Sequence, residues 1–332
     1  MAAAAISEPQ PGDAALIERA QRLADNELFP RALEIDRGHE VPVRELDLLA
    51  DAGLYGASVA ASPATITTLL EVLSSGCLTT AFVWAQHLGS SAAAHATTGP
   101  ANRFAPGLLS GELRGGVAFA HMLRPDPPLT TATPEGDGWR FHGDAPWVTG
   151  WGHIDLVHAA ARHGDDIVWA LLDAEESATL RSTTLDLATM MATRTVELHY
   201  EGHPVPADRV TRVIERRRWL ADYRLGLRNN GSFPLGVALR CCRLLEDPAM
   251  ERRLVELREA LDAASPDDMT EARAETALFA ARASTMLVAK IGGRGVTLDH
   301  HAQRLHREAM FLLVQGQTPH IKAHMLQRLG EA

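Results

Sequence analysis

The chain has 332 residues, 32 basic against 42 acidic side chains for a net charge of −10, 46% hydrophobic content and three cysteines. The length predicts two or three structural units, and the acid excess argues against nucleic acid or an anionic membrane as main partner. Cys77, Cys241 and Cys242 show neither CxxC spacing nor a disulfide framework, so buried reduced thiols are expected.

In chain order, ALIERAQRLADNELFP (15–30) puts Leu16, Ile17, Ala20, Leu23 and Leu28 on one broad helical face, and Pro30 marks its predicted end. VRELDLLADAGLYG (43–56) repeats the spacing through Leu46, Leu49 and Leu54, with glycines closing the helix. Residues 63–98 carry two long runs rich in alanine and short side chains, which suit closely packed helices. The character changes near 115. GDGWRFHGDAPWVTGWGHIDLVHAAARHGDDIVWALLD (136–173) sets turn residues between Trp-, Val- and Ile-rich segments, the pattern of consecutive antiparallel strands. RTVELHY (194–200) alternates as a half-buried strand. From 213 the pattern is helical again. DYRLGLRNNGSFPLGVALRCCRLLE (222–246) opens with Gly and Pro, TEARAETALFAARASTMLVAKIGGRG (270–295) is a long helix with Thr270 as its predicted N-cap, and HREAMFLLV (306–314) is the last strongly apolar helix.

No apolar run reaches the ~20 residues of a bilayer span. The N-terminal stretch lacks the basic start and long apolar core of a secretory signal, so a cytoplasmic location without a membrane partner is expected.

This order of helices, strands and helices, with GDGWRFHGDAPWVTGWGHIDLV at its centre, resembles the acyl-CoA dehydrogenase family of flavoproteins over essentially the whole chain. LADNELFPRALEID and VPVRELDLLADAGLYG are similar to the family's opening helices, and LLSGELRGGVAFA to its passage into the β domain. YEGHPVPADRV looks like the exit strand and turn, and KIGGRG with RLHREAM like the Gly-rich helix end and the helix after it. The resemblance implies an α+β fold with an N-terminal helical domain (1–113), a middle antiparallel β domain (114–212) and a C-terminal helical bundle (213–332). It also implies an FAD between β domain and bundle, an acyl-CoA substrate, and a site completed by a neighbouring subunit. In the family a carboxylate removes the α-proton of the acyl group, and the β-hydrogen leaves as hydride to the flavin.

Several residues carry over by position. Trp147, Val148 and Thr149 of WVT fall beside the isoalloxazine, and Phe119, Ala120, His121 and Met122 where first-strand backbone meets it. Gly292 and Gly293 match the Gly-rich end that approaches a partner subunit's FAD, and Gln315 and Gly316 match the active-site turn. Read locally, Trp147 also suits a domain core, Thr149 a strand, and the two glycines a plain helix C-cap.

The departures from the family pattern fall on functional elements. MLRPDPPL replaces the acidic and Gly-Ser-Asp elements that usually follow the first strand. The helix whose Arg, Phe and Gln cradle the FAD pyrophosphate has no counterpart in EDPAMERRLVELREALDAASPDD; Arg252, Arg253 and Arg258 there are expected to be solvated. Gln315 stands where the catalytic carboxylate is expected, and no Asp or Glu lies between Met310 and Arg328. Glutamine accepts a hydrogen bond but takes no proton near neutral pH, so no catalytic base is assigned. The alternative base position, near RLGLRNNGSFPLG, also lacks an acid, with Asp222 one turn too early. Glu308 is expected in an ion pair with Arg304 or Arg307. His300–His301 are placed in a loop and His320–His324 on a solvated basic helix, so no metal site is predicted.

The leading expectation is an acyl-CoA dehydrogenase-like flavoprotein subunit acting in α,β-dehydrogenation within a hetero-oligomer, its base supplied by a longer homologous subunit. Family members divided in this way occur in bacterial breakdown of sterol side chains, which makes lipid catabolism the expected setting. Two alternatives stand beside it: a homodimeric flavin oxidase or monooxygenase, with His121 as a candidate base, and a non-catalytic scaffold without flavin.

Overall fold

Small residues and capping groups decide where this chain's helices start, stop and touch. The structure, a computed structural model, describes residues 11–331. The helix α1 (Pro11–Leu23) runs through one π-helical turn, Ala24–Leu28, directly into α2 (Phe29–Gly38). Pro30 therefore does not end the first helix. It lies at the second residue of α2, where the π turn before it breaks the regular i→i−4 ladder that a missing N–H would interrupt, and the stop comes at His39 in the left-handed region. After α3 (Val43–Asp51), Gly53 takes a φ of 75° that closes the helix. A single turn, α4 (Ala57–Ala60), leads to α5 (Pro63–Gly76), whose N-cap Ser62 accepts from Thr65 N–H at 3.2 Å. Cys77, in extended backbone, separates α5 from α6 (Leu78–Ala96), and α7 (Ala105–Ser110) completes the first helical region.

Eight strands follow: β1 (Gly115–Ala118), β2 (Thr130–Glu135), β3 (Gly138–Val148), β4 (Leu156–His163), β5 (Asp166–Asp173), β6 (Leu180–Thr184), β7 (Val196–Val205) and β8 (Val210–Glu215). They form one sheet in the order β6-β7-β3-β2-β4-β5-β8, with β1 on β4. The sheet is mixed rather than wholly antiparallel: β1 and, at one residue pair, β2 run parallel to β4. A parallel pair needs a crossover, and the β2–β3 hairpin supplies it between β1 and β4. The central strands β4 and β5 are buried on both faces except at their ends, which is why LVHAAARH and DIVWALLD carry no regular polar alternation.

The second helical region opens with α8 (Arg216–Leu245), which continues unbroken through Pro234 instead of starting after it. Next come α9 (Pro248–Ala263) and α10 (Met269–Ile291), a 3-10 turn over Gly292–Val296, α11 (His301–Leu312) and α12 (Pro319–Gly330). Thr270 lies inside the first turn of α10 and does not cap it. His300 is not in a loop: its ring caps α11 by accepting from Ala302 N–H at 3.0 Å, and His301 begins the helix. His324 bonds Glu275 at 2.9 Å on a half-buried face, not on a fully solvated one. Arg258 pairs with the buried Glu71 rather than lying free in solvent. All three cysteines are buried and free.

The two helical regions share one core. Leu28, Leu46, Leu69, Leu73, Trp84, Leu235, Leu261 and Leu305 belong to a single buried cluster. Close approach depends on glycine at Gly236 of α8, where a Cβ would stand 2.3 Å from the Glu71 carbonyl of α5. The sheet has its own core, built on Phe141, Val148, Val157, Val168 and Leu198. No helix among the described residues is long and apolar enough to cross a membrane.

Candidate functional site

The bulge that ends β3 sets the first part of the site. The β3–β7 register shifts between Ala145 and Val148, and the residue thrown out is Trp147. Its φ of 64° is left-handed, a conformation that a bulky residue adopts at a cost of about 1–2 kcal/mol. Trp147 is 49% exposed, so the strained bulge leaves about half of the residue's surface open to solvent. Val148 beside it is buried in that core. Thr149 turns inward, its hydroxyl 3.0 Å from that of Thr195, which in turn meets Thr193 at 2.8 Å.

Past β1, the chain coils into a 3-10 turn over Ala120–Leu123. Met122 N–H donates to the Phe119 carbonyl at 2.8 Å and Arg124 N–H to the His121 carbonyl at 3.1 Å. The carbonyls of Met122 and Arg124 accept from the Arg216 guanidinium at 3.2 and 2.8 Å. His121 is buried, with Nε2 at 2.9 Å from the Ala160 carbonyl, and burial pushes its pKa down to about 4. It is neutral at pH 7 and a weak base. Phe119 packs on Trp169, Trp219 and Tyr223, which joins this strand end to α8.

The third part is the turn after α11. Gln315 N–H closes on the Phe311 carbonyl at 3.0 Å, and Gly316 takes a φ of 61°. A Cβ on Gly316 would stand 2.8 Å from Asn230 Nδ2, so glycine lets the turn lie down on α8. Gln315 Nε2 reaches Asn230 Oδ1 at 3.5 Å, and Asn230 also hydrogen-bonds Tyr223, whose pKa burial raises. Beneath them is Arg273 of α10, 1% exposed. Its Nη2 donates to the Gln315 carbonyl at 3.2 Å and to Gln315 Oε1 at 3.3 Å. Burial lowers its pKa to about 10, which leaves it a cation at neutral pH.

Two routes of contact connect these parts. Phe119 touches Tyr223, which leads through Asn230 to Gln315. On α6, Val83 faces Gly150 at the bulge, while Phe82 meets Phe233 of α8 and Phe311 of α11. The structure thus gathers the strand ends and the Gln315 turn about α6 and α8. Gly292 and Gly293 are not gathered with them. They follow the far end of α10, 19 residues from Arg273, or about 28 Å at the helical rise. No side chain lies within 4 Å of where their Cβ atoms would be. No carboxylate among the described residues bonds Gln315, Asn230 or Arg273, and no His, Cys, Asp and Glu cluster there could hold a metal. Glu308 pairs with Arg304 in a buried contact away from the turn, and Asp222 lies exposed near Arg212.

Sequence reasoning missed Arg273, Asn230 and Tyr223. A signal for the first was present: Arg273 shares the helical face of Ala277, Ala280 and Ser284, a buried small-residue stripe where a cation is out of place.

No family model matches the chain, and no curated protein matches it. Solved structures do. Butyryl-CoA dehydrogenase from Megasphaera elsdenii superposes with a TM-score of 0.81 at 16% identity, covering 97% of this chain and 98% of that one. The chain has the acyl-CoA dehydrogenase fold. An acyl-CoA dehydrogenase from Geobacillus kaustophilus matches at TM-score 0.76 and 16% identity, over 96% of this chain and 98% of its own. A glutaryl-CoA dehydrogenase from Mycobacterium smegmatis, solved in complex with FADH2, matches at 0.76 and 14%, over 97% and 95%. Within the acyl-CoA dehydrogenase fold, this chain keeps the layout of helices and mixed sheet and places a glutamine over a buried arginine at the turn after α11.

Proposed function

We propose that the chain is an acyl-CoA dehydrogenase-type flavoprotein subunit. In this reading it binds FAD at the junction of sheet and bundle and serves the α,β-dehydrogenation of a lipid-derived acyl-CoA, sterol side chains included. It acts in a hetero-oligomer whose longer homologous subunit supplies the base, in the cytoplasm. The observation that carries the reading is Trp147: a strained, half-exposed indole at the end of β3 fits the face of a flavin ring.

The residues would divide the work as follows. Trp147 would cover the ring, with Val148 and Thr149 fixing the bulge from which it projects. The backbone of Phe119, Ala120, His121 and Met122 would border the ring, Gln315 and Gly316 would face it from the bundle, and Gly292–Gly293 would approach the cofactor of a neighbouring subunit. FAD, when bound, supplies the hydride acceptor. An acyl α-proton is weakly acidic and needs a positioned base together with hydrogen bonds to the carbonyl. Among the described residues, the groups at this turn offer the hydrogen bonds and not the base. Gln315 has no titratable proton, and burial holds His121 near pKa 4, with one nitrogen tied to Ala160. A base from a partner subunit resolves the shortage.

Purification alone against co-expression with a longer homologue tests the proposal. The lone chain should show little visible flavin absorbance and no electron transfer to a dye, and the pair should show both. Stoichiometric FAD and full dehydrogenase activity in the isolated chain would overturn it. One observation favours a second reading, a fold kept for binding without flavin: the carbonyls of Phe119, His121, Met122 and Arg124 are all engaged within the chain. A colourless protein under every co-expression condition would favour that reading.

A further inference from the structure

Four arginines are buried among the described residues: Arg162, Arg240, Arg273 and Arg304. Three have a carboxylate partner, Arg162 with Asp126, Arg240 with Asp25 and Arg304 with Glu308. Arg273, at 1% exposure, has none. Its contacts are carbonyl and amide oxygens, all through one nitrogen, Nη2, which caps the end of α11 at the Leu312 and Gln315 carbonyls. That structural duty leaves Nε and Nη1 buried with no partner at all. An uncompensated guanidinium in the interior is costly, and a lysine or glutamine would cap the same carbonyls with fewer orphaned donors.

The surroundings are rich in donors. Gln315 meets the guanidinium through its side-chain oxygen, Asn230 bonds both Gln315 and Tyr223, and all three residues stay partly exposed, so amide and hydroxyl groups lie between the cation and solvent. Among the described residues, the ionisable group that acts on Arg273 is Tyr223, which burial keeps neutral at pH 7. This arrangement lacks one component, a negative charge.

We infer that the Arg273–Asn230–Tyr223–Gln315 cluster is a seat for a carboxylate carried by the ligand, so that the acyl group taken at this turn bears a free carboxylate rather than a plain hydrocarbon end. The inference takes its acyl ligand from the function proposed above; the seat itself needs neither flavin nor coenzyme A. A carboxylate accepts from the free guanidinium nitrogens and from the amides, and it supplies the missing charge.

The test uses the full chain as purified. Calorimetric titration compares succinate and adipate with their neutral diamides at matched ionic strength. Wild type should bind at least one dicarboxylate saturably at one site per chain and ignore the diamides. Arg273→Gln, which can still donate to the Gln315 carbonyl, should weaken binding by roughly tenfold or more, and Arg273→Lys by less. Gln315→Glu places a carboxylate on the chain itself and should abolish binding of the free one, which keeps the test valid if Arg273→Gln folds poorly. Absence of saturable binding in wild type, equal binding of the diamides, or unchanged affinity in Arg273→Gln and Gln315→Glu would each overturn the inference. Because no readout involves flavin or turnover, such a failure is distinct from failure of the flavoprotein reading, which the visible spectrum decides.

Discussion

Restoring a carboxylate at the family's base position, Gln315→Glu, looks like the direct route to a working dehydrogenase, yet the structure predicts otherwise. Arg273 Nη2 lies 3.3 Å from Gln315 Oε1, and a carboxylate oxygen in that place faces a buried cation. At an effective dielectric near 20, two unit charges at that distance attract by about 5 kcal/mol. Gln315 is partly exposed and both charges lose hydration, so a net gain of about 1–2 kcal/mol is the reasonable remainder. That gain lowers the pKa of the new glutamate by roughly 1 unit or more from its usual value of about 4.3. A carboxylate held ionised by a cation is a poorer proton acceptor, so the isolated variant should gain no dehydrogenation. It should gain stability instead, with a melting temperature higher by about 1–3 °C at pH 7. Since the folded-state pKa is depressed, the stabilisation is present above the unfolded value and is lost as pH falls through the folded one. Thermal melts of both proteins at pH 7 and near pH 3, together with acyl-CoA-dependent dye reduction, check this. Dehydrogenation by the isolated variant with no rise in melting temperature would refute the coupling to Arg273.

Three more outcomes test other parts of the structure. Trp147→Gly relieves about 1–2 kcal/mol of left-handed strain but gives up the half of the side chain that is covered, worth about 2–3 kcal/mol, and frees the unfolded chain, so the fold should lose about 1 kcal/mol in urea unfolding; any flavin taken up on co-expression should also bind more weakly. Gly236→Ala should cost about 1–3 kcal/mol in the same assay, since its methyl group meets the Glu71 carbonyl and neither helix can move without disturbing the shared core. Burial depresses His87 and His121 to about 4 and His158 to about 3, so the unfolded chain binds more protons below pH 6.5 and each histidine removes about 1.4 kcal/mol per pH unit on acidification to its folded value. His158→Phe should flatten the pH dependence of stability by about that slope between pH 6 and 4, and an unchanged slope would show that His158 protonates without loss.

Much of the fold was legible because its signals are local and redundant. The apolar spacing of Leu46, Leu49 and Leu54, the Gly and Pro punctuation around the strands, and the ordered run of family-like segments each point to the same layout. What escaped depended on distant partners. Pro30 reads as a stop, and only the π turn before it lets the helix continue. The parallel pairing of β1 with β4 is a property of the crossover, which strand patterning does not encode. In the candidate site, Gln315 stood out through its frame, whereas Arg273 and Asn230 belong to helices 42 and 85 residues away in sequence and become neighbours only when α8, α10 and the turn after α11 close together.

The shared core of the two helical regions sets an order on how this chain can assemble. Glu71 and its partner Arg258 are 187 residues apart, and the complete sheet lies between them. During synthesis the first helices leave the ribosome without the surface that buries them, while the sheet, with its own core, can close before α8 exists. Leu69 and Leu73 must wait for the last third of the protein. The early helices are the segment that a chaperone must shield and where a stalled or truncated chain exposes most apolar surface, and contacts of such long range set a slow pace for their docking.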